Sequence, residues 1–307
     1  MKFHKMTVAA MLSVAALAAQ AGALPFGSQV QKTGQILIDL ANDGSNDYSL
    51  DLSGLMGHST TTGDVFLTAP TSPVSDSGGL WSSTTFTDAN GQSQTGLAWH
   101  SWQTVGGTMD NNGAVAPSNA NNPWAASFII TMNGNVDPEL NYGFSIKNNN
   151  ASAQTYTVIF GESLVPVVSG AYTLTADITG AVSSVPSAAG VSVTPSNLSG
   201  FVQDLFLRRT SDGQLVNANV SVGNAFTTPL GGSQIYPNAS ANTAGDSGTD
   251  SFDYWEFRTK FTLSGGKDTF VANGTAVLTP VPEPETVSLL AAGALALVTL
   301  ARRRRAA

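Results

Sequence analysis

The sequence predicts an all-β protein whose body, residues 24–280, is an antiparallel β-sandwich of jelly-roll-like or immunoglobulin-like type. Apolar residues alternate with polar ones at period two, polar turn motifs separate these stretches, and no helix-period segment of useful length lies between residues 24 and 280. Charged residues make up only 11% of the 307 residues, and Gly, Ser, Thr and Asn are abundant. Such a composition suits extended strands joined by turns.

Five stretches have the alternation that buries one face of a strand and exposes the other. The clearest is 254–263, in which Glu256 falls on the predicted outer face. In chain order, the predicted inward residues are Phe144 and Ile146; Tyr156, Val158 and Phe160; Tyr172, Leu174, Ala176 and Ile178; Val216, Ala218, Val220 and Val222; and Trp255, Phe257, Phe261 and Leu263.

Turn motifs separate these strands. Residues 147–152 read KNNNAS and predict a hairpin connection, and tight turns are predicted at 211–214 and 88–91. Two stretches rich in small and polar residues, 104–123 and 228–249, read as long loops. Such loops either bind a ligand or simply connect strands.

The first 23 residues have the pattern of a secretory signal peptide. Lys2 and Lys5 precede an apolar run over 6–19, and small residues allow cleavage after Ala21 or Ala23. The alternative, a permanent transmembrane helix, is disfavoured because a run of about 14 residues is short for a hydrocarbon layer of about 30 Å. The chain is therefore expected to be exported.

The C-terminal tail, residues 281–307, has three ordered parts. Pro282, Glu283 and Pro284 form a segment that stays extended, because proline cannot join helix or sheet pairing. An uncharged run over 287–301 follows, predicted as a short transmembrane helix, and Arg302, Arg303, Arg304 and Arg305 should hold its end on the cytoplasmic side.

This tail resembles the PEP-CTERM sorting signal of exported proteins in Gram-negative, exopolysaccharide-producing bacteria. The resemblance implies recognition of Pro282, Glu283 and Pro284 by exosortase, a membrane-embedded, cysteine protease-like transpeptidase. It also implies transient anchoring in the inner membrane, followed by delivery to the cell surface or extracellular matrix. The alternative is a plain C-terminal anchor. Parts of the body, 142–160 and 261–266, resemble stretches of other proteins with such tails, but this likeness carries no known active site.

Charge and cysteine content exclude several classes of function. Six of the 13 basic residues and two of the 21 acidic residues lie in the terminal segments, so the body has a formal charge of −12. A body of this charge repels phosphates, which excludes nucleic acid as a partner. The absence of cysteine excludes disulfides, thiolate metal sites and a cysteine nucleophile.

No catalytic residues are predicted. The two histidines after the signal peptide, His58 and His100, are isolated, no Gly-x-Ser-x-Gly motif supports a catalytic serine, and neither candidate mature N-terminus is a histidine that could bind copper. A glycosidase requires two carboxylates across a cleft, and nothing in the sequence pairs Glu139, Glu162 and Glu256.

Calcium is the one cofactor that the sequence suggests. Asp39, Asp43, Asp47 and Asp51 lie within thirteen residues and loosely match an EF-hand loop, although Ala41 replaces a ligand and the bidentate glutamate is missing. A second acidic cluster contains Asp246, Asp250 and Asp253. A solvated turn is the alternative for both clusters.

Five tryptophans could form a platform on which sugar rings stack, or could lie in the core. They are Trp81, Trp99, Trp102, Trp124 and Trp255. The sequence therefore predicts a non-enzymatic surface protein with a structural or adhesive role in a biofilm matrix of exopolysaccharide. Its partners would be signal peptidase and exosortase during export, and then extracellular polysaccharide. A carbohydrate-binding module, with or without calcium, is the first alternative, and a secreted hydrolase is the second.

Overall fold

A computed structural model describes residues 31–59, 62–68, 70–76, 78–87, 91–105, 123–135, 138–184, 190–229 and 231–281. Most of these residues lie in strands, and the others form a 3₁₀ turn at Ser53–Leu55 and the connections. The strands are, in chain order, β1 (Lys32–Asp39), β2 (Tyr48–Asp51), β3 (Met56–His58), β4 (Val65–Leu67), β5 (Val74–Ser75), β6 (Gly79–Thr87), β7 (Ser93–Ser101), β8 (Ala126–Asn135), β9 (Glu139–Asn148), β10 (Gln154–Ser184), β11 (Val191–Pro195), β12 (Gln203–Arg209), β13 (Leu215–Val222), β14 (Phe226–Thr228), β15 (Gly232–Leu263) and β16 (Asp268–Pro280).

The strands form one continuous antiparallel sheet that curls back on itself. The main path runs β13-β12-β15-β10-β16-β9-β8-β7-β6-β5, and shorter strands pair at its sides. The two longest strands, β10 and β15, pair with each other along most of their length, with register shifts near 163–171 of β10. Such irregularities bend strands. Each long strand therefore belongs to both layers of the fold.

The first layer contains β1, β2, β12 and β13 beside residues 154–163 of β10 and 252–263 of β15. The second contains β5 to β9 and β16 beside residues 171–184 of β10 and 232–246 of β15. The all-β, antiparallel prediction is confirmed. The two layers are parts of one curled sheet, and the choice between a jelly-roll-like and an immunoglobulin-like sandwich stays a prediction.

Aromatic side chains fill the space between the layers. The Tyr142 ring on β9 lies 4.4 Å from that of Phe257 on β15, and Phe144 stacks on Phe261 at 5.7 Å. The Tyr142 hydroxyl donates to Oε1 of Gln203 on β12 at 2.5 Å, so a polar contact also joins the layers. Gly274 faces Tyr142 across β9 and β16, and a Cβ there would collide with the tyrosine ring. The core packing thus requires glycine at this position.

The alternating stretches are confirmed as strands. The predicted inward residues are buried, apart from Val216, which is partly buried and packs against the core. The turn at 211–214 connects the paired strands β12 and β13 as predicted. The connection 88–92 joins the paired strands β6 and β7, and its residues 88–90 lie outside the described part of the chain.

Two predictions about connections are wrong. Residues 147–152 do connect β9 to β10, but these strands do not pair with each other: β9 pairs with β8 and β16, while β10 pairs with β1, β15 and β16. The stretch 228–249, predicted as a loop, is mostly the first half of β15 and pairs with β10 over Gly232–Asp246. The 104–123 stretch lies mostly outside the described residues.

In the described part of the chain, no helix has the length and apolar character needed to cross a membrane. The predicted signal helix and the predicted C-terminal helix both lie outside the described residues.

Asp76 stabilises the start of β6. Its carboxylate accepts hydrogen bonds from the backbone N–H of Gly78 and Gly79 and, at 2.6 Å, from the indole N–H of Trp81. Hydrogen bonds to a charged group contribute about 1.5–3 kcal/mol each. We expect Asp76→Ala to lower the free energy of unfolding by about 2 kcal/mol or more in urea denaturation. Asp43→Ala, which removes an exposed carboxylate that accepts one backbone N–H, should cost less than half as much; equal losses would contradict this role.

Candidate functional site

The residues predicted for export and sorting lie outside the described part of the chain. They are Ala21, Ala23, Pro282, Glu283, Pro284, Arg302, Arg303, Arg304 and Arg305. The last described residue, Val281, is 43% exposed and donates its backbone N–H to the carbonyl of Ala171, at the bend of β10. The predicted recognition segment therefore begins directly after a surface residue at one end of the second layer.

The four aspartates proposed for calcium lie in and around the β1–β2 hairpin, and each binds nearby backbone. Asp39 accepts from the N–H of Asp43 and Gly44, and Asp47 accepts from the N–H of Leu40. A hydrogen bond from Ser53 lowers the pKa of Asp51. Within the described ranges, no group of three or more His, Asp or Glu side chains is placed to hold a metal ion. Calcium binding stays a prediction. Hydrogen bonds to the backbone of the hairpin already give these carboxylates a structural role without a metal ion.

The two histidines lie on separate strands. His58 ends β3, and His100 lies on the outer side of β7, where its ring stacks on Trp124 at 5.6 Å. Burial lowers the pKa of His100, so its imidazole is neutral at pH 7. Nδ1 of His100 has no hydrogen-bond partner in the described structure. The described contacts therefore do not give this histidine the orienting partner of a catalytic triad.

Four of the five tryptophans are core residues. Trp81, Trp99, Trp102 and Trp255 are at most 4% exposed. Trp124 is partly exposed, and it stands beside His100 rather than beside a second exposed tryptophan. A platform made of several exposed tryptophans is therefore contradicted, because the rings that would form it pack inside the sandwich.

Glu162 is a carboxyl group buried between the layers. It continues the inward side of β10 after Phe160, is 3% exposed, and faces Lys32 on β1 and Trp255 on β15. Burial, with a smaller contribution from the charge of Asp64, raises its pKa to about 9. The Nζ of Lys32 donates to the carbonyl of Met56. Glu162 is thus a neutral, buried acid at physiological pH.

Glu256 was predicted to lie on an outer face in contact with solvent, and the predicted contact with solvent is wrong. The side chain does point away from the core, but it is only 4% exposed. Its carboxylate accepts from the Tyr254 hydroxyl at 3.0 Å and from Nε of Arg258 at 2.6 Å. The Arg258 guanidinium in turn lies 4.5 Å from the centre of the Phe206 ring. Neighbouring side chains that bind one another therefore cover the outer surface of the first layer around Glu256.

The outer surface of the second layer carries three rows of mostly polar side chains that cross neighbouring strands, and we call it the polar face. The register of β8, β9, β16, β10 and β15 aligns these residues. The rows are Thr131, Gly143, Asn273 and Thr179; Asn133, Asn141, Thr275, Asp177 and Ser240; and Asn135, Glu139, Val277, Thr175 and Asn242. Asparagine is the commonest residue, and the rows contain no lysine or arginine.

Hydrogen bonds order part of the polar face. Glu139 accepts from the amide groups of Asn135 and Asn141, and Oδ1 of Asn141 accepts from the Thr275 hydroxyl at 2.9 Å. The Oδ1 atoms of Asn135 and Asn273 are buried and have no partner within the described residues. Period-two alternation predicted β9 and β10 as strands but missed the first half of β15, and only the sheet register brings the polar residues into rows.

Comparisons with known proteins give no family assignment. No protein-family model matches the chain, and no curated protein matches it. Among solved structures, one described as "Structural basis for the promiscuous specificity of the carbohydrate-binding modules from the beta-sandwich super family" is 10% identical, covering 80% of this chain and 84% of that one with a TM-score of 0.25.

Two further solved structures give lower scores. A family 11 carbohydrate-binding module from Clostridium thermocellum, in complex with a β-1,3-1,4-mixed-linked tetrasaccharide, is 10% identical, covering 46% of this chain and 78% of that one with a TM-score of 0.17. The infectious bursal disease virus VP2 subviral particle is 10% identical, with coverage of 86% and 84% and a TM-score of 0.15. Scores this low establish no shared ligand or function.

Proposed function

We propose that the chain is an exported, non-enzymatic protein that a Gram-negative cell sorts to its surface or matrix, where the β body has a structural or adhesive role. The tail supports the sorting step, because an extended Pro282-Glu283-Pro284 segment, an apolar run and four arginines follow one another in that order. The net negative body suits an extracellular protein that does not bind nucleic acid. Signal peptidase and exosortase are the partners proposed for export.

The polar face is the observation that carries the role of the body. It offers many uncharged hydrogen-bonding groups on one broad surface, whereas the polar groups around Glu256 on the opposite layer bind one another. A surface of this kind serves adhesion rather than turnover, because it holds hydroxyl and amide groups in place without an activated nucleophile. Calcium could add to adhesion, so binding assays should be run both with calcium and with a chelator.

Changing Pro282-Glu283-Pro284 to three alanines should block sorting. In a Gram-negative host that has an exosortase, we expect the wild-type protein from the surface or medium to end near residue 281. The variant should stay in the membrane fraction and keep Arg302–Arg305. Intact mass, measured by mass spectrometry on each fraction, distinguishes the two forms. Glu285→Ala is the matched control, since it removes a charge next to the motif and should be sorted normally.

If both wild type and variant keep the arginines and fractionate alike, the tail is a plain anchor and the sorting proposal fails. If Glu285→Ala is retained as strongly as the triple variant, the loss reflects general damage to the segment, and recognition of Pro282–Pro284 is rejected.

A further inference from the structure

The dimensions of the polar face suit an extended ligand. Its middle row, from Asn133 to Ser240, crosses five strands, which corresponds to about 19 Å at ~4.8 Å per strand. Neighbouring rows are two residues apart along a strand, or about 7 Å. The result is a regular surface of hydrogen-bonding groups, longer than a single sugar ring.

The chemistry of the polar face suits hydroxyl groups. An amide side chain both donates and accepts hydrogen bonds, as does a hydroxyl. Asn and Thr can therefore bind the hydroxyl groups of a polyol either as donors or as acceptors. The amides of Asn133 and Asn242 and the hydroxyls of Thr175 and Ser240 are exposed, so a ligand on this face can reach them. Each sugar hydroxyl supplies one donor and two acceptor positions. It can therefore pair with these amide and hydroxyl groups, and no charged side chain is needed.

Charge and composition disfavour other ligand classes. The rows contain the carboxylates of Glu139 and Asp177 and no basic residue, so they disfavour acidic polymers. Protein interfaces are anchored by buried tryptophan, tyrosine or arginine. Val277 is the one large apolar side chain in the rows. One aromatic ring, Phe66 of β4, lies opposite Asn133 at the edge of the face and is 41% exposed. A single ring at the edge is not the buried central anchor of a protein interface.

We infer that the polar face binds a neutral polysaccharide chain laid across strands β8, β9, β16, β10 and β15. This inference rests on the proposed matrix function and names its ligand class and its site. Binding through hydrogen bonds alone is weak for each sugar, because each bond replaces one made with water. Affinity should therefore increase with the number of sugar units that contact the rows.

Affinity electrophoresis of the processed protein, in gels that contain dissolved polysaccharide, tests this inference. The probes are a neutral β-glucan, a neutral galactan and a polyuronate. We expect at least one neutral polymer to retard the protein and the polyuronate to leave it unretarded. The double variant Asn133→Ala/Asn242→Ala removes exposed amides from β8 and β15, and should need at least about tenfold more polymer for half-maximal retardation.

The matched control is Gln35→Ala/Gln214→Ala, which removes two amides from β1 and the β12–β13 turn, away from the polar face. It should be retarded like the wild type. Retardation by neither neutral polymer, stronger retardation by the polyuronate, or equal loss in both double variants would each overturn the inference. Failure of surface delivery in the tail experiment, with retardation intact, would reject the proposed function and leave the binding face standing.

Discussion

The Glu162→Gln variant should be more stable than the wild type at pH 8, by several kcal/mol, and nearly equal to it at pH 4. Gln has the size of Glu and carries no charge, so it can occupy the same buried site, between Lys32 and Trp255 and against Gly134 of the other layer. Burial raises the pKa of Glu162 to about 9, which means that the fold disfavours its carboxylate form.

The direction of the pH effect follows from that pKa. An unfolded Glu releases its proton near pH 4.5, whereas the folded Glu162 keeps it until about pH 9. Between these two values the folded state binds more protons than the unfolded state, so the wild type loses stability as the pH rises. The slope is about 1.4 kcal/mol per pH unit. The stabilising effect of Gln should therefore appear above pH 4.5, grow with pH and level off above about pH 9.

Urea denaturation at pH 4, 6 and 8 measures this difference, with Glu139→Gln on the polar face as the control carboxylate. At pH 8 the control should change the free energy of unfolding much less than Glu162→Gln does, because the Glu139 side chain is partly exposed. A Glu162→Gln variant that is less stable than the wild type at pH 8 would mean that Glu162 is charged and paired, with Lys32 as the partner opposite it. That outcome would reject the neutral-acid description.

The amino-acid pattern predicted the strands with large apolar residues. Trp255, Phe257 and Phe261 alternate with polar residues, and burial of their side chains is enough to define a strand. The same period also placed Glu162 in phase with Val158 and Phe160, which was a signal for an inward carboxyl. The period also placed Glu256 on the outer face, but it could not predict that this side chain is buried. The burial of Glu256 depends on the neighbouring side chains that bind it.

The first half of β15 was predicted as a loop from its composition, and the prediction is wrong for a physical reason. Apart from Thr243, residues 238–248 are Asn, Ala, Ser, Gly and Asp, which are not strong strand formers and offer few side chains for the core. They are extended because they pair with Leu174, Ala176 and Ile178 of β10, whose own side chains are buried. Tertiary pairing therefore decides this strand. The polar face depends on the same register, which a single sequence does not specify.

Trp99→Ala should cost about 3–5 kcal/mol in the free energy of unfolding, which is a large share of the roughly 5–15 kcal/mol typical of a domain. Trp99 is fully buried; its ring stacks on Phe128 at 5.4 Å and meets the edge of Tyr48 at 5.3 Å. Because β2, β7 and β8 all contribute to this contact, the cavity left by alanine would lie between the layers, where collapse is restricted.

The matched control for Trp99→Ala is Trp124→Ala, in which a partly exposed ring beside His100 is lost. It should cost less than about 2 kcal/mol, since the side chain leaves no closed cavity. Urea denaturation of both variants at one pH gives the comparison. If Trp99→Ala lowered the free energy of unfolding as little as Trp124→Ala, Trp99 would have to lie at the surface. Sugar stacking on exposed tryptophans would then be an alternative to binding on the polar face. A large difference would support the core position of Trp99, where its ring is not available to stack on a sugar.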